Sequence, residues 1–135
     1  MFRRSVGAGS LYWLGLRDKT DAYLDGSNTY TLTMPQPVPA KLFWSITVYD
    51  AETRSQIQTD QNKAALRSLF ELADLDTSHA ADLHFAPEAP ADDDAKPRWI
   101  KTIPGKGWFV YFRIYGPDEP AFDGSWQLPD FEAIT

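Results

Sequence analysis

The sequence predicts a mainly β fold, an antiparallel β-sandwich of jelly-roll-like type with at most one or two short helices. About seven short apolar or alternating segments are separated by turn signals, a spacing typical of sandwiches. Ten prolines and eight glycines are spread along the chain, which favours strands joined by turns over long helices. Only one segment has a helical pattern, whereas a parallel α/β fold needs several helices between its strands.

The length and composition predict a single domain over residues 1–135. A chain of this size is long enough to bury a proper core. The 43% apolar content lies well outside the range of disordered chains, and no repeat or linker divides the sequence. We therefore expect one sandwich with one core.

The first half of the chain contains three predicted strands. Leu11–Leu16 is apolar on both faces, which predicts a buried strand. The turn signal Asp25–Asn28 precedes Thr29–Met34, whose strict alternation predicts a half-buried strand. After three prolines, Leu42–Asp50 alternates again and is predicted as the next strand.

The middle of the chain has a looser pattern. Lys63–Asp74 fits a short amphipathic helix, with a strand at Leu69–Leu72 as the alternative. Asp82–Ala86 is predicted as a short strand, and the Pro- and Asp-rich stretch Pro87–Pro97 as a loop.

The last third contains the clearest strand of the sequence, Trp108–Tyr115, which alternates throughout. Trp99–Ile103 is predicted as the strand before it, with Pro104–Gly107 as a hairpin turn between the two. A final short segment is expected around Trp126.

Several aromatic-rich blocks of these elements resemble, in order and spacing, the domain-of-unknown-function (DUF) 1214 family over about residues 10–131. The blocks are Leu24–Tyr30, Phe43–Asp50, Phe85–Pro87, Trp99–Ile100, Pro104–Phe109, Arg113–Pro117 and Phe122–Trp126. The resemblance implies a jelly-roll-like β-sandwich that is usually the C-terminal part of longer bacterial or fungal proteins carrying a DUF 1254 domain. It implies no reaction, so it assigns no catalytic residue.

This sequence departs from that family plan because no DUF 1254-like domain precedes it. A stand-alone protein, a fragment and one partner of a split pair all stay open. The partners that we expect are a companion N-terminal domain of DUF 1254 type, a second copy in a homo-oligomer, or a small-molecule ligand.

The charge and the N-terminus exclude some partners. The net charge of −6, with the cations scattered among 19 acids, argues against nucleic-acid binding and against attraction to an anionic membrane. No apolar run approaches the ~20 residues of a membrane helix. Met1–Arg4 before Val6–Leu16 has the outline of a signal peptide but no small-residue cleavage site, so the compartment is not predicted.

Motifs for metals and nucleophiles are missing from the sequence, and we predict no metal and no cofactor. The chain has no cysteine, and His79 and His84 are spaced wrongly for one helical face. The Asp74–Ser78 segment lacks the Gly and Glu of a calcium loop, and the Asp92–Asp94 run is typical of a solvated loop. No Gly-x-Ser-x-Gly elbow is present.

Acidic residues leave one enzymatic hypothesis open. Asp50 and Glu52 follow one strand end, and Asp118 and Glu119 follow another. Two carboxylates in a pocket with Tyr or Arg would make a hydrolase acting on a carbohydrate-like or small acidic substrate. With 19 acids in the chain, such neighbours also arise on an ordinary surface.

The two best strands carry a second, mixed face that we predict to be the ligand or partner surface. Its residues are Phe43, Ser45, Thr47 and Tyr49 on one strand and Phe109, Tyr111, Arg113 and Tyr115 on the other. Exposed rings in such number indicate a surface that is covered or used. The same set could instead point inward and line a pocket, and the sequence leaves both orientations open.

Arg113 is the informative residue of this face, because a cation among rings needs a partner. Asp50 or Glu52 would make a structural ion pair; the acid group of a ligand, a second domain or another subunit would serve equally. The predicted ligand or partner residues are therefore Phe43, Tyr49, Asp50, Tyr111, Arg113 and Tyr115. A non-enzymatic binding module is the leading hypothesis.

Overall fold

Two β-sheets pack face to face in the computed structural model, which describes residues 2–7 and 9–134. Within residues 2–7 it describes the side chain of Arg4 only. One sheet has the spatial order β1 (Phe2–Gly7), β2 (Ser10–Gly15), β8 (Trp108–Pro117), β4 (Ala40–Asp50) and β5 (Ala65–Arg67). The other has the order β7 (Trp99–Lys101), β6 (Ala81–Ala86), β3 (Thr29–Met34) and β9 (Glu132–Ile134).

The predicted β-sandwich is confirmed, with one mixed feature. All strand pairs are antiparallel except β6 and β7, which run parallel. In the described residues the helices are a 3-10 turn at Asp93–Arg98 and a single α-helical turn, α1, at Pro120–Asp123. Neither is long and apolar enough to cross a membrane, and residues 2–7 and 9–134 contain no other helix that is.

Strand alternation decides which face of the five-stranded sheet is the core. Trp108, Val110, Phe112 and Ile114 of β8 are at most 2% exposed and point toward the second sheet. The second sheet supplies Tyr30, Leu32, Met34, Leu83 and Phe85, all at most 1% exposed. Each such side chain contributes about 1.5–3 kcal/mol by its burial. The other residues of β8, from Phe109 to Tyr115, therefore lie on the outside of the sandwich.

The helix expected at Lys63–Asp74 is wrong, and so is the alternative strand at Leu69–Leu72. The segment forms the three-residue strand β5 followed by turns. Leu66 and Leu72 are buried in the core, while Phe70 is 63% exposed. Pairing with β4 and the burial of two leucines outweigh the local helical pattern.

The predicted hairpin at Pro104–Gly107 is a turn, but it joins strands of different sheets. The turn is held by the earlier Asp25–Asn28 turn: the Gly26 amide donates to the Lys106 carbonyl (2.8 Å), and the Gly105 amide donates to the Ser27 hydroxyl (2.7 Å). Two turns far apart in the chain thus close one end of the sandwich together.

The chain ends also differ from the prediction. Around Trp126 there is no strand; its indole stacks on Phe112 at 5.8 Å and donates to the Pro35 carbonyl (2.9 Å). The last strand, β9, comes after it. At the other end Phe2–Gly7 forms β1, for which the sequence predicted no strand, and Met1 of the signal-peptide outline lies outside the described residues.

Candidate functional site

The outer surface of the five-stranded sheet carries a cluster of rings around one arginine. We call this cluster the aromatic face; it consists of Tyr12, Phe43, Tyr49, Phe109, Tyr111, Arg113 and Tyr115. Each of these side chains is partly exposed, and each alternates with a core residue along its strand. Strand geometry alone therefore presents them together on one side.

The rings of the aromatic face contact one another across the strands. Phe43 stacks on Tyr115 with centroids 4.3 Å apart, and Tyr49 stacks on Phe109 at 5.3 Å. Tyr111 extends the second of these stacks, since it meets Tyr49 edge-on at 5.5 Å and Tyr12 at 6.0 Å; Phe43 and Tyr115 form a separate pair. Such pairs stabilise each other and fix the rings in place, so the surface is organised before anything binds to it.

The middle of the aromatic face contains two residues with short side chains. Ser45 and Thr47 of β4 lie opposite Arg113 and Tyr111 of β8, and each is 7% exposed. The rings and Arg113 around them extend farther from the sheet. A cavity of about 300 Å³ opens beside Thr47 toward β5.

Arg113 lies in the central strand of the sheet and has few partners. Its Nη2 donates to the Tyr49 hydroxyl at 3.4 Å, and its Cζ lies 4.9 Å from the centre of the Tyr111 ring. No carboxylate of residues 2–7 and 9–134 whose side chain is described lies within 4.0 Å of its nitrogens. The ion pair considered with Asp50 or Glu52 is therefore not formed.

Asp50 lies away from the aromatic face, at the end of β4. Its Oδ1 accepts from the amides of Glu52 (2.8 Å) and Thr53 (3.2 Å), and its Oδ2 lies 3.9 Å from Lys106 Nζ. These contacts shape the turn after β4. The structure thus separates Asp50 from the five other predicted face residues, which it brings together.

Arg67 differs from Arg113 in having a carboxylate partner, although the two lie in one row across the sheet. Ser45 of β4 pairs with Arg113 on one side and with Arg67 on the other. Its Nε and Nη2 bind the two oxygens of Glu71 at 2.9 and 2.6 Å. Burial opposes the ionisation of Glu71, but the hydrogen bonds from Arg67 outweigh it and hold the pKa of that carboxyl below its ordinary value. Of the two arginines, only Arg113 lacks a carboxylate within the described part of the chain.

A family model described as "Protein of unknown function (DUF1214)" matches residues 9–119, most of the chain. The chain belongs to the DUF1214 family. The resemblance to this family is confirmed, and the match includes the blocks up to Arg113–Pro117 and every residue of the aromatic face, whereas Phe122–Trp126 follows it.

Among solved structures, the crystal structure of the VPA0106 protein from Vibrio parahaemolyticus is similar to this DUF1214 chain, with a TM-score of 0.78 and 21% identity. The similarity covers 94% of this chain but 31% of the Vibrio chain. At this identity the match supports the fold alone. No curated protein matches the sequence.

The histidines and acids that were considered as catalytic or metal-binding groups are not members of the aromatic face. His84 lies on β6, half-buried, whereas His79 lies in a loop with its Nε2 3.0 Å from Asp76. Asp118, one of the candidate catalytic acids, lies 3.7 Å from Lys41 Nζ. Among the described side chains no three His, Asp or Glu residues are grouped so that they could hold a metal ion.

Tyr12 is the member of the aromatic face that the sequence analysis missed. Leu11–Leu16 is apolar on both sides and was predicted to be buried on both faces. In the structure Leu11 and Trp13 are buried, whereas Tyr12 and Leu14 face outward beside Arg113 and Tyr111. The phenolic hydroxyl of Tyr12 was the signal for an outward position, because a buried hydroxyl needs a partner.

Proposed function

We propose that this DUF1214 domain is a non-catalytic interaction module that docks a partner protein on the aromatic face. The observation that carries the proposal is two groups of partly exposed rings on one sheet face, each fixed by mutual contacts, around an arginine with no carboxylate partner among the described residues. Apolar rings in contact with water are stabilised when a second surface covers them. Tyr, Phe and Arg are also the residues enriched at the centres of protein interfaces.

The outer surface of the other sheet supports this choice by contrast. It presents mainly polar residues, Thr29, Thr31, Thr33, Asp82, His84 and Lys101, with Trp99 and Ile134 as its apolar members. Its β7 edge is covered, because the Gln61 side chain donates to the Trp99 carbonyl (3.0 Å) and accepts from the Lys101 amide (2.8 Å). This outer surface has fewer rings than the aromatic face and one capped edge, so a covering partner stabilises the aromatic face more.

The partner that fits best is a different folded domain. A second copy docked face to face would bring one Arg113 toward another, and like charges oppose such contact. The fold occupies 31% of the Vibrio chain, so a domain of this type occurs within a much larger protein. A companion domain of the DUF 1254 type that the family resemblance implies, in the same or in a separate chain, would supply the covering surface.

A photo-crosslinking experiment tests the proposal in the organism that makes the protein. Benzoylphenylalanine replaces Tyr111 in one variant and Thr33, exposed on the opposite sheet, in the matched control. We expect one discrete protein to be crosslinked from position 111 and not from position 33. The purified pair should then form a 1:1 complex in native mass spectrometry, and Tyr111→Ser should weaken it.

Three outcomes would argue against the proposal. Equal crosslinking from both positions would mean that the aromatic face has no preferred partner. A crosslinked dimer of the chain itself would replace the companion domain by a second copy. A small molecule retained by the native protein, detected as extra mass that denaturation removes, would make the face a ligand site.

A further inference from the structure

We infer that Arg113 is the anchor for a carboxylate that the partner presents, so that the aromatic face selects an acidic residue flanked by apolar ones. This inference rests on the proposed function, because it names the chemistry of the partner at the same face. It assigns to one residue the selectivity that the surrounding rings cannot provide. Rings attract apolar surface of many kinds, whereas a guanidinium binds a planar anion in a fixed geometry.

The first step of the argument is the unused hydrogen-bonding capacity of Arg113. A guanidinium has N–H donors on both of its edges, and the Tyr49 hydroxyl takes one of them at a length of 3.4 Å. Arg67, in the same sheet row, has both oxygens of Glu71 on its guanidinium. The chain therefore builds a complete carboxylate site at Arg67 and leaves the equivalent site at Arg113 without its anion.

The second step is the distribution of charge. The chain has 19 acids and a net charge of −6, so carboxylates are plentiful. Yet two acids next to strands of this sheet bind other groups: Glu71 binds Arg67, and Asp50 binds Lys106 and its own turn. Within this acidic chain Arg113 is a local positive centre, and it is this local charge that is complementary to a carboxylate.

The third step is access. Arg113 lies opposite Ser45 of β4, which has a short side chain. The Cζ atom of its guanidinium lies 4.9 Å from the centre of the Tyr111 ring. Arg113 is partly exposed, so a carboxylate arriving from solvent meets a cation that Tyr111 and Tyr49 already orient. The surrounding rings would exclude water from the pair, which strengthens the attraction.

Two matched probes test the anchor without knowledge of the partner. N-acetylphenylalanine carries a carboxylate and a ring, and N-acetylphenylalanine amide is its neutral counterpart. Both are titrated into the whole chain and followed by NMR shifts of the arginine Nε–H and backbone amide signals. We expect millimolar binding of the acid at the aromatic face, about tenfold tighter than that of the amide because its hydrogen bonds are charge-assisted.

Substitutions then locate the selectivity. Arg113→Gln should abolish the preference for the acid, and Arg113→Lys should keep only part of it, because a lysine lacks the planar fork. Arg67→Gln is the control, since it removes the same charge from the same sheet row and should keep the preference. The folded state of each variant is checked by its amide spectrum.

Several results would overturn the anchor. They are equal binding of acid and amide, no binding of either probe, or an equal loss of preference in the Arg113 and Arg67 variants, which would indicate diffuse attraction. Failure of the anchor and failure of the proposed function are distinguishable. If crosslinking from position 111 persists while the acid preference is absent, the face docks a partner without a carboxylate; if crosslinking fails, the docking proposal falls first.

Discussion

Arg113 and Tyr49 reach toward each other from neighbouring strands, and the guanidinium donates one hydrogen bond of 3.4 Å to the tyrosine hydroxyl. This bond is long and partly exposed to water, so it contributes little to the stability of the fold. Arg113 thus lies in the central strand of the sheet without adding much stability through this bond, and the proposed role in binding accounts for that.

Arg113→Met tests that explanation through stability. We expect the free energy of unfolding, measured by urea denaturation, to change by no more than about 0.5 kcal/mol, as for a surface residue without a strong partner. Arg67→Met is the comparison, and it should cost more because it strips Glu71 of its ion pair. A loss above about 2 kcal/mol for Arg113→Met would indicate a structural role instead.

Tyr111 and Phe112 are adjacent in β8 but lie on opposite faces, which gives a second prediction. Phe112→Ala removes a fully buried ring from the core and should cost about 3–5 kcal/mol. Tyr111→Ala removes ring contacts on the outer face and should cost about 1 kcal/mol. Chemical denaturation measures both, and similar losses would mean that the aromatic face is packed as tightly as the core.

The strand positions could be predicted because alternation depends only on neighbours in the chain. Alternation alone does not identify the buried face of a strand, and Trp108–Tyr115 is an example. Both of its faces carry rings, so the alternating pattern divides the side chains into two sets without showing which set is buried. The decision depends on the second sheet, which packs Phe85 on Trp108, and on Phe131, which precedes β9 and also contacts Trp108. Those contacts join residues distant in sequence.

Long-range contacts also explain the wrong predictions. In Lys63–Asp74 the Trp44 amide donates to the Ser68 hydroxyl (3.0 Å) and the Ser68 amide donates to the Trp44 carbonyl (2.9 Å), so contacts with β4 replace helical hydrogen bonds. The partner of Arg113 could not be predicted either. Asp50 belongs to β4, the strand next to Arg113, but it is the last residue of that strand. There Lys106 and the amides of the turn bind it.

Of the six glycines whose surroundings the structure describes, Gly26 has the least room for a side chain. A Cβ added there would collide with the backbone of Ile103, and the Gly26 carbonyl accepts from the buried Thr102 hydroxyl at 2.9 Å. We expect Gly26→Ala to lower the free energy of unfolding by at least about 2 kcal/mol, since the two turns that close this end of the sandwich must separate. Thermal and urea denaturation measure the loss.

Gly105→Ala is the control for Gly26→Ala, because it lies in the partner turn. Its φ of +80° disfavours a side chain, but a Cβ there meets no atom within 4 Å. The backbone conformation alone should cost about 1 kcal/mol. Equal losses for both variants would contradict the role assigned to the close approach at Ile103.

His84 makes stability depend on pH near neutrality. Burial lowers the pKa of His84 below its ordinary value of 6.5, the charge of Arg98 lowers it further, and Asp82 and Asp92 oppose this only in part. The folded state therefore binds the proton less tightly than the unfolded state does. The contribution of His84 to stability is fully present above pH 6.5 and is lost as the pH falls from there toward the folded-state pKa.

Denaturation of the wild type at pH values of about 7.5 and 5.5 should thus show a fall in the free energy of unfolding. His84→Gln should reduce that fall, because glutamine does not titrate. Carboxylates with lowered pKa, such as Asp60 and Asp76, lose their contribution only at more acidic pH, so they do not mask the effect. A fall that persists in full in His84→Gln would mean that another group titrates on folding.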